Sequence, residues 1–404
     1  MTQMNTLSVV IPALNEEDGI RDIIERVRSI EPRLPKVGIQ KLEVIVVDDG
    51  STDHTAEIVS EFPHVRLIRH GVNRGYGAAL KTGFCHAHGE WLAFLDADGT
   101  YPAEYLPELC EVALGNQADV VIGSRMSGAD SEMPTMRRLG NRLFASLLSF
   151  VGNERIADTA SGMRVLRREA LGFLYPLPDG LHFTPAMSTR ALHEQLRMIE
   201  VPIPYRERVG RSKLSVVRDG VRFLYSIIWT AMSYNPLRIL GFLGLGAMSV
   251  AAAVGLALVL MRASGITSLG PWGVFSVFAA LVLGVSGVSI FALGAMFNYL
   301  VSLFHKRPVR QGLFGRPIFN PSLDHQFGWM GLLSAIVGGM LGLVSLALSL
   351  NGWPLSRLWL YLLGSALLIL VGVQLVISWV VMRVLEELSQ RDTSVRQDQE
   401  GSHY

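Results

Sequence analysis

The sequence predicts an α/β domain built on a mostly parallel sheet, followed by an all-α domain of four transmembrane helices. Three observations lead there. Half of the 404 residues are hydrophobic and 18% are charged, with a mean hydropathy of +0.33. That is too apolar for an ordinary soluble enzyme and too charged for a pure membrane transporter. Charges are spread through residues 1 to 238 and nearly vanish from there to Met382. The charged part, finally, alternates short β-rich runs with helical patterns, an order that builds a parallel sheet covered by helices on both faces.

The elements follow in chain order. Leu7–Pro12, Leu42–Asp48, Val65–Arg69, Trp91–Asp96 and Asp119–Gly123 read as strands. Glu17–Ile30, with apolar Ile20, Ile23, Ile24 and Val27, reads as an amphipathic helix, and Thr55–Phe62 as a second. Asn73-Arg74-Gly75-Tyr76-Gly77 lacks the lysine pattern of a P-loop and reads as a turn opening a helix over Ala78–His88. In two stretches apolar residues at helical spacing accompany arginines: Leu143 to Val151 follow the basic run Arg137, Arg138 and Arg142, and Val216 to Trp229 contain Arg218 and Arg222. They are expected to lie in the lipid headgroup plane, although core packing explains the first almost as well.

Four uncharged stretches come next: Ile239–Met261, Ala263–Phe304, Phe327–Ser356 and Leu358–Met382. Each suffices to cross a hydrocarbon core of about 30 Å, which takes about 20 helical residues. The front of the second is loop-like, so its helix is expected to begin near Trp272. The expected domains are therefore 1–214 for the α/β part and 215–236 for an interfacial helix. Residues 237–388 then hold spans near 239–261, 272–303, 328–350 and 357–382, and 389–404 form a disordered tail. Lys306, Arg307, Arg310 and Arg316 lie between the middle spans, whereas the opposite loops carry only Arg262 and Arg357. The positive-inside rule then places both termini and the α/β domain in the cytoplasm, and a bacterial inner membrane is expected.

Composition also excludes. A net charge of +1 argues against a nucleic-acid partner. Two cysteines, Cys85 and Cys110, cannot build a disulfide framework. No signal peptide is evident, because the first apolar run stops at Pro12. The dispersed His54, His64, His70, His86 and His88 show no metal-ligand spacing.

Ligands of parallel sheets bind beyond the carboxyl ends of the strands, and the unusual polar residues sit there. Asn15, Glu16 and Glu17 follow the first strand, Asp48, Asp49, Ser51 and Asp53 the second, and Asp96 and Asp98 the fourth. Asn15 and Ser51 are each explained as helix caps. Three acidic strand ends at one crevice are harder to explain without a cation between them. Two carboxylates at i and i+2 suit Mg²⁺ or Mn²⁺, Mg²⁺ filling its remaining positions with water and phosphate oxygens.

Pro12-Ala13-Leu14-Asn15-Glu16, Val47-Asp48-Asp49-Gly50-Ser51, Asn73-Arg74-Gly75-Tyr76-Gly77 and Asp96-Ala97-Asp98-Gly99 closely resemble family 2 glycosyltransferases of the GT-A, Rossmann-like fold. Gly123-Ser124-Arg125, Asp158 to Arg164 and Gly210 to Leu214 narrow the resemblance to polyprenyl-phosphate hexose synthases, the group of dolichol-phosphate mannose synthase and its bacterial glucosyl relatives. The resemblance implies an inverting hexose transfer from GDP-mannose or UDP-glucose to a polyprenyl phosphate.

It also implies roles. Pro12, Leu14 and Glu16 would line the nucleotide pocket, and Val47 and Asp49 would contact base and ribose. Asp96 and Asp98 would hold metal and diphosphate, with the Ala97 backbone against the donor. Asp98 and Arg125 would be catalytic, Arg125 lying between donor sugar and acceptor phosphate. Lys213, with Arg208 before it, would clamp the donor. Thr100 stands where many relatives carry a glutamine that completes the metal shell. Glu207 stands where the loop arginine is usual, so Arg206 and Arg208 both compete for that role. The acceptor phosphate needs cations, and Arg137 and Arg138 are offered beside Arg125; a solvated or headgroup-facing patch explains that run equally well.

Two other readings remain open. A processive polysaccharide synthase shares the early motifs but needs a Q-x-x-R-W motif that this sequence lacks. A non-catalytic scaffold or transporter of lipid-linked sugars is disfavoured by the intact acidic residues and by spans without charge. Four spans exceed the single anchor that membrane access requires, which leaves room for a homo-oligomer.

Overall fold

The computed structural model describes residues 5–126, 135–152, 156–205, 216–266, 269–305, 313 and 323–401. Two compact units divide between Ala231 and Met232.

The first unit runs β1 (Thr6–Ala13), α1 (Ile20–Ser29), β2 (Lys41–Asp48), α2 (Thr55–Ser60), β3 (Val65–Arg69), α3 (Tyr76–His86), β4 (Trp91–Phe94), α4 (Leu106–Gly115), β5 (Val120–Ser124) and α5 (Thr135–Gly152). It continues through β6 (Arg164–Arg167), α6 (Leu171–Leu174), α7 (Phe183–His193), β7 (Met198–Pro202) and α8 (Val216–Met232). Seven strands form one sheet in the order β3-β2-β1-β4-β6-β5-β7. All pairings are parallel except those of β6, which runs antiparallel to both β4 and β5.

Both faces of the sheet are covered, and the period-2 alternation of β1 shows how. Leu7, Val9 and Ile11 pack on one face with Ile20, Ile23, Ile24 and Val27 of α1 and Leu106 and Leu109 of α4. Val10 points to the other face and joins Leu80 and Phe84 of α3 and Phe183 and Met187 of α7. The four α1 residues are fully buried, each worth about 1.5–3 kcal/mol. One polar substitution at Ile24 would therefore undo a large share of this helix's docking.

Two strands, β6 and β7, lie outside the sequence reading, and β6 is an interior strand of the sheet. Its Arg164-Val165-Leu166-Arg167 is bounded by arginines and shows no apolar alternation, yet it pairs on both sides. Arg164 turns back into the protein fully buried, donating to the carbonyls of Thr159 at 2.8 Å and Ser161 at 3.2 Å. Burial pushes its guanidinium down to about 10.

Helices α5 and α8 have two faces. Leu148 of α5 and Ile227 of α8 are buried in the core beneath the sheet, and Phe144 meets Phe223 edge to face at 6.0 Å. Outward, Leu139 and Leu143 of α5 and Val221, Tyr225 and Trp229 of α8 are exposed. Helix α8 up to Ala231 belongs to the first unit and packs on it through Ile227.

The second unit contains α9 (Pro236–Ala263), α10 (Pro271–His305), α11 (Phe327–Leu350) and α12 (Leu355–Gly401). All four are long and apolar enough to cross a membrane. Close approach is set by small residues: a Cβ on Gly244 would lie 2.6 Å from the Gly287 carbonyl, and one on Gly331 2.7 Å from that of Gly372. The disordered tail expected from residue 389 is corrected: α12 continues to Gly401. No glycine or proline interrupts it after Gly372, and Arg383 pairs with Glu386 one turn on at 2.6 Å. The basic connection that set the orientation, with Lys306, Arg307, Arg310 and Arg316, lies outside the described residues.

Candidate active site

An open cleft of about 390 Å³ lies at the carboxyl ends of β1, β2 and β4. The register of β1 on β2, with Pro12 opposite Val47 and Ala13 opposite Asp48, brings the two acidic strand ends side by side. Pro12, Ala13, Leu14 and Glu16 form one wall, and Asp96, Ala97 and Asp98 form another.

The strand ends are tied to each other. Asn15 takes φ +49°, a left-handed conformation that asparagine tolerates. Its Oδ1 accepts the Thr52 amide at 2.8 Å, while its own amide donates to Ser51 Oγ at 2.9 Å. Neither Asn15 nor Ser51 caps a helix as expected; Gly19 and His54 hold those positions, and both residues clip loop to loop instead.

Asp49 lines the cleft but is only 3% exposed. Its Oδ1 accepts from His70 Nδ1 at 2.6 Å and the Arg74 amide at 2.9 Å, and its Oδ2 accepts from the Gly75 amide at 2.8 Å. Asp49 therefore holds the Asn73–Gly77 turn in place. Gly75, at φ +105°, is required there: a Cβ would lie 2.4 Å from the Asp179 carbonyl.

The two carboxylates of the fourth strand end are each oriented by a neighbouring hydroxyl. Tyr76 donates its phenol to Asp96 Oδ1 at 2.8 Å, and burial, then the Asp96 charge, hold that phenol well above its ordinary pKa. Thr100 donates to Asp98 Oδ1 at 2.6 Å. The threonine that replaces the usual glutamine is buried and serves Asp98, not an open coordination position. Gly162 closes in behind, since a Cβ there would stand 2.4 Å from Asp96 Oδ2.

As a donor set, two carboxylates on one wall of a cleft fit a hard divalent cation that shares its remaining positions with water and phosphate oxygens. No cluster of three or more metal-ligating side chains occurs among the described residues.

Comparisons with known proteins identify the family. The family model for glycosyl transferase family 2 matches residues 8–174. The undecaprenyl-phosphate 4-deoxy-4-formamido-L-arabinose transferase of Edwardsiella ictaluri is 30% identical over 323 residues, covering 76% of this chain and 92% of the relative. The chain belongs to glycosyl transferase family 2. The low-salt glycan biosynthesis hexosyltransferase Agl6 of Haloferax volcanii is 34% identical over 235 residues, 57% of this chain; the match spans about half, 54%, of that relative. Residues 236–396 match a domain family of unknown function. Among solved structures, glucosyl-3-phosphoglycerate synthase from Mycobacterium tuberculosis has 22% identity and a TM-score of 0.46, covering 56% of this chain and 80% of that one.

The glycosyltransferase places several expected residues differently. Val47 is fully buried in the core of the sheet with Leu80 and Phe84, and its side chain does not line the cleft. Arg125 does not line it either. Its Nε and Nη2 meet the two oxygens of Asp158 at 2.7 Å each, its amide donates to Asp158 Oδ2 at 2.9 Å, and its guanidinium lies between Tyr101 and Tyr205, 5.7 and 5.5 Å from the ring centroids. Burial opposes charge on both partners, yet the pairing holds Asp158 below and Arg125 above their ordinary values. Arg138 is half-buried on α5 and away from the cleft wall. Arg208, Lys213 and the side chain of Arg137 lie outside the described residues.

Three residues were given no site role by the sequence reading: Tyr76 and Gly162, which shape the acidic wall with Thr100, and Arg222 of α8, which lines the cleft. Tyr76 sits in a motif read only as a turn. Arg222 lies in a helix more than 120 positions from Asp98, where no local pattern points to a strand end.

Proposed function

We propose that this chain transfers a hexose from a nucleotide sugar, GDP-mannose or UDP-glucose, to a polyprenyl phosphate at the cytoplasmic face of a membrane, with inversion. The observation that carries the reading is the pair Asp96 and Asp98 on one wall of the strand-end cleft, in a chain aligned along 92% of an undecaprenyl-phosphate sugar transferase. Four helices suited to span a bilayer support a lipid acceptor.

The geometry supports the following roles. Pro12, Leu14 and Glu16 form the wall that faces the nucleotide, and Asp49 fixes the opposing turn. Asp96 and Asp98, oriented by Tyr76 and Thr100, would hold Mg²⁺ or Mn²⁺, which when bound neutralises the diphosphate leaving group. A phosphate monoester carries at least one negative charge near pH 7 and is already a nucleophile. The protein's task is then to hold donor and acceptor in line and to screen their charges. Arg208 and Lys213 are proposed to close on the donor. Arg125, paired with Asp158, supports the site from one layer behind.

Purified protein in detergent, with undecaprenyl phosphate, Mn²⁺ or Mg²⁺ and a panel of labelled nucleotide sugars that includes UDP-4-deoxy-4-formamido-L-arabinose, tests the reading. Organic-phase label is expected with one donor and is expected to fall at least 100-fold in Asp98→Ala. Nucleotide binding without lipid label would point to another acceptor. No nucleotide binding would overturn the proposal.

A further inference from the structure

His70 follows β3 directly, and both it and Asp49 are buried. The period of two along the strand puts His70 on the face of Ile68, which packs against the cluster containing Leu80 and Phe84 of α3. The His70 amide donates to the Asp48 carbonyl at 2.9 Å. That bond extends the β2–β3 ladder by one residue and sets the imidazole beside Asp49. Its Nδ1 donates to Asp49 Oδ1 at 2.6 Å, and its Nε2 lies 3.0 Å from Thr82 Oγ1 of α3. An ionised carboxylate only accepts, so Nδ1 carries the proton and Nε2 is left to the Thr82 hydroxyl. Packing alone asks for an apolar side chain here, as Ile68 supplies two residues earlier. A buried imidazole instead needs a polar partner for each nitrogen, and one of those partners lines the cleft.

Asp49 accepts from three donors, the His70 imidazole and the amides of Arg74 and Gly75. The two amides belong to the turn that Asp49 holds. The imidazole reaches the carboxylate from the sheet and gives it a fixed point outside that turn. Asn73, Gly75 and Tyr76 of the turn line the cleft together with Asp49, whereas His70 does not line it. We infer that His70 is a positioning residue of the nucleotide pocket, acting through Asp49 to tie that carboxylate and the Asn73–Gly77 turn to the sheet. The inference rests on the proposed nucleotide-sugar donor.

Two substitutions each keep one end of the ring. The amide nitrogen of His70→Asn takes the place of Nδ1 and keeps the bond to Asp49. That of His70→Gln takes the place of Nε2 and keeps only Thr82. Calorimetric titration of the full chain in detergent with UDP and with GDP, Mn²⁺ present, reads nucleotide affinity, and wild type is expected to bind one of the two. His70→Gln should weaken that affinity about tenfold or more, the worth of a hydrogen bond to a charged group, while His70→Asn stays within about threefold of wild type. A mere bridge between β3 and α3 predicts the opposite order. Affinity lost in His70→Asn, affinity kept in both variants, or a His70→Asn chain that does not fold overturns the inference. If His70→Gln does not fold, affinity held by His70→Asn supports the inference and affinity lost there overturns it. Wild type that binds neither nucleotide would remove the donor reading itself, and this inference with it.

Discussion

Arg125 and Asp158 form a two-pronged ion pair, both contacts at 2.7 Å, with the carboxylate fully buried and the guanidinium stacked between two tyrosine rings. Such a pair is a framework element. Its attraction is offset by the cost of removing both charges from water, so its net worth is small while breaking it is expensive. The same carboxylate accepts from Asn141 Nδ2 at 3.0 Å, which joins α5 to the loop before β6.

Removing one partner should therefore destabilise far more than removing both. Asp158→Asn is expected to cost about 3–5 kcal/mol, and the double variant Arg125→Met with Asp158→Leu to regain most of it. Urea unfolding followed by tryptophan fluorescence checks both. The pH dependence has a definite sign. Asp158 has a folded pKa below its unfolded value of about 3.9. Its contribution is fully present above that unfolded value and is lost as the pH falls through the folded one. Wild type should lose this stability only in acid, and Asp158→Asn should be less acid-sensitive.

Tyr76 and Thr100 each donate a hydrogen bond to one carboxylate of the acidic pair. Tyr76→Phe and Thr100→Val are each expected to weaken Mn²⁺ binding in the presence of nucleotide by about 10–100-fold, the usual cost of losing a group that orients a metal-binding side chain. Titration followed by the electron paramagnetic resonance of free Mn²⁺ reads it directly. Unchanged affinity in both variants would separate these hydroxyls from the metal.

Asp49→Asn exchanges a carboxylate that accepts three hydrogen bonds for an amide that keeps one oxygen. Its NH₂ then faces a donor already present, leaving the Gly75 amide or the Arg74 amide without an acceptor. Hydrogen bonds to charged groups are worth about 1.5–3 kcal/mol. Nucleotide affinity is expected to fall about tenfold or more as the turn loosens, with little change in far-ultraviolet circular dichroism.

The sequence by itself determined much of this protein. Alternating apolar runs placed β1 to β5 within a residue or two, because a buried parallel strand must be apolar and must end where the polar crevice begins. Four uncharged stretches became four helices fit to span a membrane, since length and hydropathy decide that question locally. Asp96 and Asp98 were legible for the same reason: two acids directly after an apolar strand occupy a place the sheet assigns. Strand β6 was not legible, because its stability comes from two neighbouring strands rather than its own pattern. Nor was Val47, whose face is set by register, or Arg125, whose partner lies 33 residues on. Only the folded chain decided which arginine of the described residues lines the cleft. Arg222 arrives on a helix whose docking depends on Ile227 in the core, and contacts between distant segments are fixed by packing rather than by any local signal.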